Sequence, residues 1–156
     1  MRNFLSSRLF SIILIIAIPT AVYFINVEVQ SYLGRQALAG TGLESLPLGS
    51  ALKEAKQNDK LVLVDVSAIW CSTCRRLDRE VFSDRKVKEI IRRDFVFSRL
   101  EYESDEGQRF LEERNVSGFP NLWVLDKSGG NISNLNVTFD PTEFAEQLDR
   151  VSKVSQ

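Results

Sequence analysis

Nineteen consecutive residues, Leu9 to Val27 ("LFSIILIIAIPTAVYFINV"), carry no charge and lie between Arg8 and Glu28. No other feature of the chain restricts its fold so strongly. As a helix the run is about 28 Å long at 1.5 Å per residue, close to the roughly 30 Å hydrocarbon core of a bilayer. It has no polar face, which argues against a helix packed on a soluble core. Pro19 would kink it, and membrane helices tolerate such kinks. Arg2 and Arg8 precede the run, while Glu28 and Arg35 follow it and cancel. The positive-inside tendency therefore puts residues 1–8 in the cytoplasm, a single-pass anchor at 9–27, and the rest of the chain on the periplasmic or equivalent side of the inner (plasma) membrane. The competing reading is a cleaved signal peptide, whose apolar part is usually about 7–15 residues and ends at a small-x-small site. Here the nearest such site, Ala37-Leu38-Ala39, comes ten residues after the run ends.

Residues 28–49 are mixed in character and contain Gly34, Gly40, Gly42, Pro47 and Gly49. They read as a tether whose first part can be helical. Residues 50–156 then form one domain of ordinary size. Ser50 is placed to cap a short helix, "ALKEAKQND". "LVLVDV" (61–66) is a nearly continuous apolar run, as in a strand buried on both faces. A helix starts near Cys71 and runs to about Glu80, and Ser83 or Asp84 caps the next, with Val87, Ile90 and Ile91 on one face. Strands are expected over 95–102, 121–126 and 131–139, with a helix over 105–115 between the first two. Pro141 opens a last helix. Alternating elements ending in a hairpin imply an α/β fold, a central mixed sheet with helices on both faces.

The chemistry is narrowed by what is missing. The formal net charge of −1, with both signs scattered, gives nucleic acid nothing to bind. There is no histidine, so histidine-based nucleophilic catalysis and histidine-ligated metals are excluded. The two cysteines of the chain, Cys71 and Cys74, stand in "DVSAIWCSTCRR". Two thiols alone do not close a four-ligand zinc site within one chain. Where a strand feeds a helix, the first helical turn offers unpaired N–H groups and the positive end of the helix dipole. A thiol there ionises more easily, and the thiolate is the reactive form. Cys71 is placed to attack a disulfide, Cys74 to resolve the mixed disulfide, and Arg75 and Arg76 to favour the thiolate modestly. No cofactor or metal is needed for this exchange. A half metal site shared between two chains and a static disulfide remain the alternatives.

The run "LVLVDVSAIWCSTCRRL", with "GFP" beginning 44 residues after Cys74, resembles the thioredoxin superfamily over roughly residues 50–152. "DVSAIWCSTCRRLDREVFSDRKV" is most similar to the C-terminal periplasmic domain of the DsbD-type membrane reductases and to related anchored thioredoxin-like proteins. The resemblance implies a thioredoxin-like fold and an enzyme, a thiol:disulfide oxidoreductase, most often a reductase. Its substrates would be protein disulfides, and its electrons would come from a membrane redox partner. It makes Cys71 the nucleophile and Cys74 the shielded resolving thiol. Trp70, Phe119 and Pro120 become the substrate-binding rim, with Pro120 in the family's cis-proline position. Asp65 becomes the acid that exchanges a proton with Cys74, and Asp78 a second, supporting acid. An acid inside "LVLVDV" is desolvated, which opposes its ionisation and suits proton exchange. Two departures stand out: Ser72-Thr73 replaces the familiar Gly-Pro between the cysteines, and Phe119 is bulkier than the usual residue before the proline. They leave an oxidase or isomerase, or a non-catalytic domain that binds a partner or metal, as alternatives.

Overall fold

The apolar run forms a helix, and the helix continues well past its end. In the computed structural model, which describes residues 2–154 with side chains from residue 11 onward, α1 spans Arg2–Thr41. Met1, at the head of the expected cytoplasmic segment, and Ser155 and Gln156, at the end of the expected domain, lie outside the described residues. Large apolar side chains from Ile12 to Ile25 stand exposed along α1. Among the described residues this is the one helix long and apolar enough to cross a membrane. The segment expected as a tether is helical to Thr41, because residues 31–41 present a row of small side chains that packs on the domain: Ser31, Ala37 and Thr41 are buried there.

The domain proper runs α2 (Leu48–Asn58), β1 (Leu61–Ser67), α3 (Ser72–Leu77), a π-helical turn (Asp78–Phe82), α4 (Arg85–Asp94), β2 (Phe95–Glu101), α5 (Asp105–Glu112), β3 (Asn121–Leu125), β4 (Asn131–Leu135) and α6 (Pro141–Val154). The element order is the expected one, with local differences: the helix expected to run to about Glu80 gives way to the π turn at Asp78. Pro47, not Ser50, takes the N-cap of α2: its carbonyl accepts the N–H groups of Ser50 and Ala51 at 2.9 Å, so Ser50 lies inside the helix. β4 ends at Leu135 because the Gln147 side chain of α6 takes over both backbone groups of Asn136. Its Oε1 accepts the Asn136 N–H at 2.9 Å, and its Nε2 donates to the Asn136 carbonyl at 3.2 Å.

The four strands lie in the order β2-β1-β3-β4, β1 parallel to β2 and the other neighbours antiparallel. β1 is central, and its side chains alternate between two cores. Val62, Val64 and Val66 face α2 and α5 with Ala51, Ala55, Phe110 and Leu111. Leu63 faces the other way with Phe97, Leu122, Leu77, Phe82, Phe144 and Leu148. Phe82 is fully buried there, edge-on to Phe97 at 5.3 Å and to Phe144 at 5.7 Å. Burying a side chain of this kind is worth roughly 1.5–3 kcal/mol. That second core clamps α3 and the π turn to the sheet and so fixes the cysteine pair.

Candidate active site

β1 delivers the chain to the site. After Ser67 the Ala68 carbonyl accepts the Cys71 N–H at 2.9 Å, turning the strand into α3. Cys71 is the N-cap of that helix, with extended backbone. Its Sγ accepts the Cys74 N–H at 3.0 Å, in the place where a serine or aspartate oxygen usually caps a helix. An N–H donor aimed at sulfur favours negative charge on it. Cys71 and Cys74 are joined in a disulfide, their Cα atoms 5.3 Å apart. Both are buried, Cys71 6% exposed and Cys74 2%, so the outer sulfur is the less shielded of the two. Arg75 and Arg76, expected to support a thiolate, are engaged elsewhere. Arg75 donates to Gln30, and Arg76 donates to Glu80 and lies over the Phe139 ring at 4.1 Å.

An aromatic rim packs against the cysteines, made of Trp70, Tyr102 and Phe119. Phe119 is its centre, edge-on to Trp70 at 5.4 Å and tilted against Tyr102 at 4.5 Å. The Phe119-Pro120 peptide is cis. Trp70, Cys71, Cys74 and Phe119 are thus brought together, with Pro120 next in the chain. Tyr102 was not foreseen. It follows β2 directly, held by its N–H on the Ser67 carbonyl at 2.9 Å.

Beneath the disulfide lies a buried charge cluster. Strand alternation turns Asp65 to the α3 face, and the parallel register pairs it with Arg99. Arg99 Nε and Nη2 donate to Asp65 Oδ2 at 2.8 and 2.5 Å; its Nη2 and Nη1 donate to Asp78 Oδ1 and Oδ2 at 2.5 and 3.1 Å. The Ser67 hydroxyl donates to Asp65 Oδ1 at 2.5 Å. Asp65 is fully buried and Asp78 nearly so. One guanidinium therefore faces two carboxylates. Burial opposes the charge of Arg99, but the two carboxylates outweigh it and hold the guanidinium firmly protonated. Burial raises the Asp78 carboxyl above its ordinary range; Arg99 pulls the other way, and the nearby Asp65 charge adds to the rise. Asp78, Arg99 and Cys74 line one small cavity of about 10 Å³, the space of a single water. Glu101 is also raised by burial, although its carboxylate accepts the Ile69 N–H at 3.2 Å. Asp65 and Asp78 come together through Arg99, a residue that the sequence reading did not single out. The available signal was an arginine inside the apolar strand "FVFSRLEY", in register with the aspartate of β1.

The chain is similar to known proteins over the domain that carries this site. The family model described as thioredoxin-like matches residues 46–127, just over half of the chain. UBX domain-containing protein 2 of Schizosaccharomyces pombe is 28% identical over 108 residues, 69% of this chain and 25% of that protein. The thiol:disulfide interchange protein DsbD of Photorhabdus laumondii is 28% identical over 101 residues, 63% of this chain and 18% of that protein. The chain thus spans a quarter or less of the length of these curated relatives. Among solved structures, a thioredoxin from Thermus thermophilus superposes with a TM-score of 0.63 at 25% identity, covering 70% of this chain and 86% of that one. With a matching family model, a mixed sheet in thioredoxin-like order and a Cys-x-x-Cys pair at the strand-to-helix turn, this chain belongs to the thioredoxin-like family.

Proposed function

We propose that this protein is a thiol:disulfide oxidoreductase held in the inner (plasma) membrane by α1, with its thioredoxin-like domain on the periplasmic or equivalent side, and that it works as a reductase. The observation that carries the reading is the cysteine pair: Cys71 sulfur at a helix N-cap, accepting an amide N–H, and bonded to a deeper Cys74. In the dithiol form the Cys71 thiolate attacks one sulfur of a substrate disulfide. One substrate thiolate leaves, and a mixed disulfide forms on Cys71. Cys74 then gives up its proton and attacks Cys71 Sγ. The second substrate thiolate leaves and the Cys71–Cys74 bond closes, so two electrons have passed to the substrate. A membrane redox partner reduces the pair again.

Asp78 is the favoured acceptor for the Cys74 proton, since burial raises its carboxyl and it lines the same cavity as Cys74. Asp65, fully paired with Arg99 and Ser67, holds the guanidinium that sets Asp78 in place. Trp70, Phe119 and Pro120 form the rim on which an extended substrate chain lies. Similarity to DsbD supports the reducing direction.

The chain is also similar to UBX domain-containing proteins, whose names carry no thiol chemistry; the second reading is a domain that binds a partner without turnover. The two separate in one experiment. The Cys74→Ala variant, reduced and incubated with membrane and periplasmic extract, should accumulate mixed disulfides on Cys71 that dithiothreitol releases, while wild type reduces insulin disulfides and Cys71→Ser does not. Wild type that reduces insulin no faster than Cys71→Ser, with no mixed disulfide trapped on Cys71 of Cys74→Ala, would move the protein to the binding reading.

A further inference from the structure

The juxtamembrane half of α1 is part of the domain, and it fixes where the disulfide stands. Gly34 is the point of closest approach. A Cβ at this position would come within 1.8 Å of the Ile69 carbonyl oxygen, so only glycine lets the helix backbone lie against the loop that leads into Cys71. Four residues earlier, Gln30 takes Arg75 Nη1 on its Oε1 at 2.7 Å and on its carbonyl at 3.4 Å. At the far end, Arg92 Nη2 donates to the Gly42 carbonyl at 2.9 Å, and Lys60, just before β1, donates through Nζ to the Arg92 carbonyl at 2.6 Å. The packed half of α1 is thus held at both ends, by Ile69 and Arg75 beside Gly34 and Gln30 and by Arg92 beside Gly42. The disulfide lies at the end of the domain nearest the apolar segment.

That segment stops at Val27, and α1 runs on without a break. Gln30 and Gly34 are three and seven residues further along, about 5 and 10 Å at 1.5 Å per residue. Cys71 and Cys74 lie in sequence between Ile69 and Arg75, the two residues held at those levels. The rim residues Trp70 and Tyr102 are of the type that concentrates at bilayer–water interfaces. From this we infer that the natural substrates are disulfides carried at the bilayer surface, on membrane-embedded or membrane-bound partners, because α1 holds Cys71–Cys74 at about that height and does not let it range on a tether. The inference rests on the proposed function, with residues 9–27 as a retained anchor.

The test uses the full chain in liposomes, reduced with dithiothreitol and then freed of it. Two probes are compared: phosphatidylethanolamine with a 2-pyridyl disulfide on its headgroup, and water-soluble 2,2′-dipyridyl disulfide. In each, the Cys71 thiolate forms a mixed disulfide, and Cys74 closes on Cys71 so that the probe leaves as two thiols. The variant has seven helix-forming residues inserted between Val27 and Glu28. Two helical turns keep the same face and lift the domain by about 10 Å. Wild type should consume the lipid probe about tenfold faster than the insertion variant, with equal rates on the soluble probe. Equal rates on the lipid probe would overturn the inference while leaving the oxidoreductase reading intact. Failure of wild type on the soluble probe, or its failure to float with the liposomes, would overturn the underlying reading and the inference with it.

Discussion

Arg99 is the residue on which the interior of the site depends. It is nearly buried and is shared by two buried carboxylates, and removing one member of such a group leaves charge uncompensated, at a cost of about 3–5 kcal/mol. Arg99→Leu should therefore lower the unfolding free energy by that amount, seen as a lower urea midpoint with an unchanged m-value; a loss under about 1 kcal/mol would mean the cluster is not held as described. Asp78 gives a second prediction, with a defined sign. Its carboxyl is raised in the folded protein above the ordinary 3.8, so the folded state binds the proton more tightly than the unfolded one. Stability then falls as pH rises from the ordinary value through the folded one. Asp78→Asn removes that slope. Urea unfolding at about pH 4 and pH 7 should show wild type losing stability relative to Asp78→Asn as pH rises; parallel profiles would contradict this. The cysteine pair was legible because its signal is local: strand, turn and helix N-terminus suffice to place Cys71 and Cys74. Arg99 and Tyr102 were not, because they join the site only through cross-strand register and the fold of β2 onto β1.

At the scale of elements, order and type followed from periodicity, and the misplaced boundaries have physical causes. The end of β4 depends on Gln147, a helical side chain that occupies both backbone groups of Asn136. No pattern within residues 131–139 encodes that. The N-cap of α2 fell to Pro47 because a cap needs only a carbonyl and the right backbone; Ser50 had the more familiar side chain and lies inside the helix. The π turn at Asp78–Phe82, where the Ser83 N–H reaches the Asp78 carbonyl five residues back, leaves no mark in a short apolar period. Such turns are frequent at functional sites, and this one begins at Asp78, which lines the same small cavity as Cys74. The segment after the apolar run is helical in its first part, as expected, but it packs on the domain. Its glycines suggest flexibility, but Gly34 is needed for contact: the Ile69 carbonyl occupies the space of its missing side chain.

For the molecule as a whole, α1 and the domain form one object, an apolar helix whose polar continuation is packed beside the redox pair. The proposed orientation predicts that protease added to intact spheroplasts digests the chain beyond residue 28, and that lysis adds little; protection until lysis would reverse the topology. The mixed sheet, the two cores and the site at the end of β1 were all implied by element order together with the resemblance around "WCSTC". What the sequence left open is the direction of electron flow, because Ser72-Thr73 replaces the familiar dipeptide and the poise of a disulfide depends on how far each form is stabilised. The most direct measurement is the reduction potential of the Cys71–Cys74 couple in the full chain, titrated against glutathione or dithiothreitol. A reductase predicts a value near that of thioredoxin, about −270 mV. A value near about −120 mV, that of a strong disulfide donor, or a pair that does not titrate at all, would contradict the account.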